Sequence, residues 1–160
     1  MLVRPAGSDD HDAIRTLVED AFGQADEAGL VDRLRLSGDA AIELVAVDDS
    51  TIVGHVLFSR LTAPFRALAL APVSVATRRQ RAGIGARLIN GGLQRAAREG
   101  WQGVFVLGDP AYYTRFGFDA HLAADFRCSY AGPYFMVSAL GGTLATTTGQ
   151  IDYPAAFAGL

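Results

Sequence analysis

A glycine-containing turn at residues 80–85, with the sequence Gln-Arg-Ala-Gly-Ile-Gly, has the composition of an anion-binding site. It follows an apolar run of strand-forming residues at 68–75 and precedes apolar residues at the three- and four-residue spacing of a helix. Gly83 and Gly85 have no bulky side chain, so the backbone can approach a ligand closely. A helix that begins here directs free N–H groups and the positive end of its dipole at that ligand. The predicted chemistry is therefore the binding of phosphate groups.

Taken alone, the turn leaves alternatives open. Many strand-to-helix turns that bind nothing also carry glycine. Four of the fourteen arginines fall within ten residues of it, a density that suits a polyanionic ligand or, equally, a solvated helix start: Arg78, Arg79, Arg81 and Arg87. The turn is not a Walker A loop, because the chain contains no lysine, and it is not a dinucleotide fingerprint, because a third glycine near Leu88 is absent. A nucleotide-binding interpretation is therefore weak.

Two motifs together indicate a family. The pattern Gln80-x-x-Gly83-x-Gly85 resembles the acetyl-coenzyme A motif of the GNAT family of N-acetyltransferases. A second segment, at residues 108–118, reads GDPAYYTRFGF and is similar to the corresponding segment of a YhbS-like branch of that family, as is the stretch around 132–136. The resemblance covers essentially the whole chain, and it predicts a single N-acetyltransferase domain over residues 1–160.

The resemblance implies acetyl-coenzyme A as co-substrate, with its pantetheine arm in a gap between the fourth and fifth strands. A bulge there leaves backbone N–H groups unpaired, and one of them can bind the carbonyl oxygen as its charge develops. The N–H groups of the turn would bind the pyrophosphate, and the side chains of Gln80 and Arg81 would reach the outer phosphates. For residues 73–75 the alternative is an ordinary central strand that binds no ligand. The predicted coenzyme-binding residues are Val73, Ser74, Val75, Gln80, Arg81, Ala82, Gly83, Ile84, Gly85 and Ala86.

Tyr113 is the candidate general acid, since the resemblance puts a tyrosine at its position near the coenzyme sulfur. A phenol with an ordinary pKa of about 10 is protonated at neutral pH, so it can donate to the thiolate as the C–S bond breaks. Packing, or a simple hydrogen bond to sulfur, is the alternative. Phe116 and Phe118 are expected to be core residues.

The sequence does not identify a general base, because the central strand carries no carboxylate. Five residues elsewhere are candidates, and each is expected to be structural rather than catalytic: Asp26, Glu27, Glu43, His55 and Asp109. The carboxylates of Asp26, Glu27 and Glu43 would also suit the binding of a cationic amine, although carboxylates that contact only solvent are the more common case. His11 and His121 are expected on the surface, and no spacing of histidine and cysteine indicates a metal site.

The elements that must position these residues follow a mixed order. We predict an α/β fold with a mixed, mostly antiparallel sheet flanked by helices and splayed between its fourth and fifth strands, the splay being what the resemblance implies. Ser8, Asp9 and Asp10 are expected to cap the first helix, and Gly23 to end it. The further predicted elements are strands at 2–5, 42–47, 52–61, 68–75, 104–107, 127–130 and 134–140, helices at 27–36, 83–98 and 111–115, and an edge strand at 151–153.

Composition excludes several classes of protein. A formal charge of −3 argues against a dedicated nucleic-acid-binding protein. No apolar run approaches the roughly 18 residues of a membrane span, and the N-terminal residues do not resemble a signal peptide. Cys128 is the single cysteine, so no intramolecular disulfide forms and a free, buried thiol is expected. Cytoplasmic residence is the resulting expectation.

The hypothesis is an acetyl-coenzyme A-dependent N-acetyltransferase that moves the acetyl group directly to an amine. A small-molecule amine is favoured over a protein amine as the acceptor. The alternative is a non-catalytic sensor or partner module that binds coenzyme A, which the missing base makes credible. A homodimer through the late strands is compatible with the same pattern.

Overall fold

The computed structural model of the protein describes all residues from 1 to 160, and its order of elements is close to the predicted one. The strands are β1 (Leu2–Pro5), β2 (Ala40–Asp48), β3 (Thr51–Arg60), β4 (Ala67–Val75), β5 (Gly103–Leu107), β6 (Phe126–Arg127), β7 (Phe135–Ala139) and β8 (Gly149–Gln150). The helices are α1 (His11–Phe22), α2 (Asp26–Leu36), α3 (Ile84–Arg98), α4 (Pro110–Tyr113) and α5 (Ala120–Ala123). Short 3₁₀ turns lie at Ser8–Asp10, Thr77–Arg79, Thr114–Phe116 and Ala155–Phe157.

Six strands form one sheet in the order β1-β2-β3-β4-β5-β7, and every pair except β4 and β5 is antiparallel. Strands β4 and β5 pair only from Ala67 to Ala69, whereas β3 stays paired with β4 as far as Val75. The later part of β4 therefore has a free edge on the side of β5. The predicted α/β fold and the splay between the fourth and fifth strands are confirmed.

A β-bulge lies in β4 where the gap begins. Val56 pairs with Val73 and Phe58 pairs with Leu70, so one residue of β3 faces the two residues Ala71 and Pro72. A bulge of this kind bends its strand and increases the local twist. The bend coincides with the point at which β5 leaves β4, and it sets the direction of the free edge.

Helix α3 approaches one face of the sheet closely because two glycines leave room for its neighbours. A Cβ atom on Gly92 would lie 2.1 Å from the ring of Phe58, and one on Gly54 would lie 2.8 Å from the side chain of Leu88. A larger residue at either position would push the helix away from β3. This close contact fixes the start of α3 relative to the end of β4.

Helices α1 and α2 cover the opposite face. Val45 of β2 packs with Ile14 and Val18 of α1, and Leu57 of β3 packs with Leu34 of α2. The connection between the two helices consequently lies on this face. None of the helices in the chain has both the length and the apolar character needed to cross a membrane.

Four local predictions are wrong. The predicted strand at 127–130 is only the two-residue strand β6, which ends at Arg127. The carboxylate of Asp10 accepts a hydrogen bond from the Gly7 N–H at 2.7 Å and pairs with Arg4, so it does not cap α1. The predicted edge strand at 151–153 is reduced to one bridge between Thr62 and Asp152, because β8 pairs with β6 away from the main sheet. Cys128 is free but only half-buried, and burial raises the pKa of its thiol.

Candidate active site

The predicted phosphate-binding turn joins β4 to α3 and leaves the start of that helix uncapped. Gly83 is the residue immediately before the helix and has a φ of +82°, a left-handed conformation that favours glycine. No side chain accepts a hydrogen bond from the first turn of α3. Its first N–H groups are therefore unpaired by the helix itself and point toward any anion bound there.

A cleft of about 590 Å³ opens against this turn. Eight of the ten residues predicted to bind the coenzyme line it: Val73, Val75, Gln80, Arg81, Gly83, Ile84, Gly85 and Ala86. Ser74 and Ala82 do not line it. Alternate residues of a strand face opposite sides of the sheet, so the side chain of Ser74 points away from the cleft that Val73 and Val75 line. This side chain is buried, and its hydroxyl has no hydrogen-bond partner. Any role of Ser74 in the cleft would have to use its backbone.

Tyr112 and Arg115 also line the cleft, and sequence reasoning did not assign them to it. The guanidinium of Arg115 lies 4.7 Å from the centroid of the Tyr112 ring, and its Nε donates to the Tyr112 carbonyl at 2.8 Å. A Cβ atom on Gly85 would lie 3.2 Å from the Tyr112 hydroxyl, so this glycine lets the tyrosine approach α3. The three-residue spacing of Tyr112 and Arg115 on a helical turn was the signal that could have found them.

The arginines of the turn are dispersed by the fold. Arg79 forms an ion pair with Asp48, and Arg78 lines a separate open groove beside α1. Arg87 is exposed outside the cleft. Arg81, together with Arg115 from the other wall, therefore supplies the positive side chains of the cleft.

Tyr113 lines a second cavity, of about 420 Å³, and Val73 belongs to the walls of both cavities. Its ring meets those of Tyr112 and Phe118 edge to face, with centroid distances of 5.0 and 5.8 Å. Burial of the Tyr113 hydroxyl raises its pKa to about 12. The tyrosine is therefore protonated, and able to donate, throughout the neutral range. Phe116 and Phe118 pack into the core, as predicted.

Gly108 and Asp109 hold this tyrosine in place. A Cβ atom on Gly108 would lie 2.4 Å from the Tyr113 ring, so only glycine allows the ring its present position. The carboxylate of Asp109 accepts a hydrogen bond from the Ala111 N–H at 2.9 Å and thereby caps α4. Asp109 has the structural role that we expected.

Glu43 and His55 form a buried cluster with Arg35 that lines neither cavity. The Nε2 atom of His55 lies 2.8 Å from the carboxylate of Glu43, and the Nε of Arg35 donates to that carboxylate at 3.1 Å. Burial by itself would raise the pKa of Glu43, but these partners outweigh it and lower the pKa to about 2. A carboxylate that holds its proton so weakly, away from the cavities, fits a structural role.

Glu27 is the one candidate carboxylate that lines the cavity of Tyr113. Its oxygens accept hydrogen bonds from the Gln24 amide, the shorter at 3.0 Å, and it forms no ion pair. Asp26, its neighbour on α2, is exposed and lines neither cavity. His121 is exposed and His11 is partly exposed, and no group of His, Cys, Asp or Glu residues has the arrangement of a metal site.

Comparison with known proteins agrees with this geometry. Residues 2–120 match the family model described as an acetyltransferase (GNAT) domain. The chain is 34% identical over 160 residues to the N-acetyltransferase YhbS of Escherichia coli K12, with 96% of each chain covered. It is 36% identical over 155 residues to YjhQ of the same strain, covering 86% of this chain and 83% of YjhQ.

Two solved structures are similar over nearly the whole chain. The GNAT family N-acetyltransferase YhbS from E. coli in complex with CoA gives a TM-score of 0.91 at 32% identity, covering 98% of this chain and 91% of that one. A GNAT family acetyltransferase from Brucella melitensis in complex with acetyl-CoA gives 0.84 at 33% identity, covering 98% and 97%. This chain therefore belongs to the GNAT family of N-acetyltransferases and is an acyltransferase.

Proposed function

We propose that residues 1–160 act as one catalytic domain that transfers the acetyl group of acetyl-coenzyme A directly to an amine. The observation that carries this proposal is that Val73 lines two cavities, one at the uncapped start of α3 and the other lined by Tyr113. The complexes of the two similar structures with CoA and acetyl-CoA support the identity of the donor.

The coenzyme would bind through its anionic and its peptide-like parts separately. Its pyrophosphate accepts hydrogen bonds from the free N–H groups at the start of α3, and Arg81 and Arg115 lie on either side of the same cleft. Its pantetheine arm lies in the gap beside β4, where it can hydrogen-bond to the free edge as an added strand would. The thioester then lies near Val73, which lines both cavities.

The amine would occupy the cavity of Tyr113 and must first lose a proton to become nucleophilic. Its nitrogen attacks the thioester carbonyl carbon, and the developing oxyanion accepts a hydrogen bond from a backbone N–H on the free edge of β4. As the tetrahedral intermediate collapses, its nitrogen loses a second proton to solvent, the C–S bond breaks and Tyr113 gives its proton to the leaving thiolate. Tyr113 then recovers a proton from solvent, so an ammonium and a thioester yield an amide, a thiol and one proton.

A titration of thermal stability tests the donor site first. Acetyl-coenzyme A at about a hundred times its dissociation constant should stabilise the protein by roughly 2.7 kcal/mol, whereas ATP and NAD at matched concentrations should not. Stabilisation by ATP or NAD alone would refute the assignment of the cleft. Release of free thiol that depends on an added amine then separates the transferase from a sensor that only binds the coenzyme.

A further inference from the structure

The cavity that holds Tyr113 is chemically unlike the coenzyme cleft. Eleven of its thirteen lining residues are hydrophobic, and Glu27 carries the single charged side chain among them. Five of the thirteen carry aromatic rings: Phe22, Tyr113, Tyr130, Tyr153 and Phe157. A volume of about 420 Å³ is enough for a small ligand, and walls of this composition bind an apolar body.

Exposed apolar side chains are concentrated at this cavity. Phe22 at the end of α1 is 41% exposed and Leu107 at the end of β5 is 50% exposed, and both line it. Large hydrophobic residues that stay open to solvent around one cavity mark a binding site for an apolar ligand. The two residues come from different elements, so the exposed apolar character is not confined to one segment of the chain.

Glu27 gives the cavity a definite charge preference. Its only hydrogen-bond partner is the neutral amide of Gln24, and no arginine lines the cavity to neutralise it. A carboxylate among apolar walls favours a ligand that brings one positive charge, because a cation recovers the solvation that the carboxylate loses. A long acyl chain on the donor would gain nothing from this group, and a polyamine or aminoglycoside would leave most of its charges against apolar walls.

Building on the function proposed above, we propose that the acceptor is a primary amine with one positive charge and an aryl or compact aliphatic body, an arylalkylamine being the type. Its ammonium lies at Glu27, and its body packs on the aromatic walls formed by Tyr130, Tyr153 and Phe157. Loss of the proton from that ammonium then releases the nitrogen to the thioester near Val73.

Calorimetric titration of the protein saturated with coenzyme A, which cannot transfer an acetyl group, tests the site without catalysis. The probes are phenethylamine, 3-phenylpropionate, which has a similar body and the opposite charge, and spermidine, which carries three positive charges and no aryl body. Phenethylamine should bind at least tenfold more tightly than either. Equal or weaker binding than either comparator overturns the proposal.

A pair of variants tests the contribution of Glu27 itself. Glu27→Gln should weaken phenethylamine binding at least fivefold and remove most of the discrimination against 3-phenylpropionate, with coenzyme affinity unchanged. Asp26→Asn is the matched control, since it removes the same charge from the same helical turn outside the cavity, and it should change neither. Equal effects of the two substitutions would contradict a specific contact at Glu27.

The transfer reaction and this inference fail in different ways. If phenethylamine binds as expected but no amine releases thiol from acetyl-coenzyme A, the ligand preference of the cavity stands and the transfer reaction does not. If spermidine or a lysine-containing peptide is acetylated while phenethylamine neither binds nor reacts, the transferase stands and the acceptor class is overturned.

Discussion

The two cavities that share Val73 in their walls are opposites in charge and construction. The coenzyme cleft depends on unpaired backbone N–H groups at the start of α3 and on exposed arginines, so it suits an anion that keeps much of its contact with water. The Tyr113 cavity is mostly apolar and offers one carboxylate, so it suits a cation with an apolar body. Under the proposed function, donor and acceptor are recognised by different chemistry, so substitutions in one cavity should leave binding in the other nearly unchanged.

The largest effect on catalysis is expected from Tyr113→Phe, which removes the proton donor and keeps the ring. Turnover should fall about a hundredfold or more, the size typical of a lost general acid, while coenzyme affinity stays near that of the wild type. Steady-state kinetics and a coenzyme titration measure the two quantities. Tyr134→Phe, at an exposed tyrosine outside both cavities, is the control. Unchanged turnover at every pH would exclude the acid role of Tyr113.

Gly83→Val should weaken coenzyme binding about tenfold or more, which is roughly 1.4 kcal/mol or more. A branched side chain at a φ of +82° strains the turn and obstructs the approach of the pyrophosphate. Gly38→Val is the matched control, because Gly38 has a φ of +78° and open space around it, far from the cleft. Both variants should lose similar stability, and only Gly83→Val should lose coenzyme affinity. If both bind the coenzyme equally well, the cleft is wrongly assigned.

A smaller effect is expected from Arg115→Gln. Arg115 is exposed, so the loss of its charge should raise the coenzyme KM by no more than about fivefold, and less at high salt. The KM for the amine should not change. Arg98→Gln, at the exposed end of α3, gives the comparison for a cation outside both cavities. An equal rise of the coenzyme KM in the two variants would remove Arg115 from the site.

The smallest effect on catalysis is expected from Glu43→Gln, which should leave the pH dependence of turnover near neutrality unchanged. Its effect is on stability instead. Because the pKa of Glu43 is lowered from 4.5 to about 2 in the folded protein, its stabilisation is complete above pH 4.5 and is lost as the pH falls toward 2. The stability of the variant should therefore depend less on pH between 4.5 and about 2. Part of the pH dependence remains, because the pKa of Asp10 is also lowered to about 2. A shifted pH profile of turnover would instead give Glu43 a role in proton transfer.

Much of the fold was predictable because its elements have strong local patterns. The helix after Gly83 and the buried strand β5 lie within about a residue of their predicted bounds. The capping prediction at Asp10 was wrong, since two nearby partners take its carboxylate, the N–H of Gly7 three residues earlier and the guanidinium of Arg4 six residues earlier.

The coenzyme cleft was largely visible in the sequence because most of its lining is one contiguous turn, and a helix start binds an anion through its own backbone. The acceptor cavity was not visible. Its walls come from α1, α2, β4, β5 and segments near the end of the chain, which are brought together by long-range packing. Five carboxylate or histidine candidates looked alike in the sequence, and their surroundings separated them: His55 is buried and pairs with the mostly buried Glu43, and Glu27 lines the cavity. The sequence by itself determined the family and most of the residues that line the cleft at the start of α3. Only the tertiary structure decided which of the candidate charged side chains lines the cavity of Tyr113, because the solvent exposure and partners of a side chain depend on elements far away in the chain.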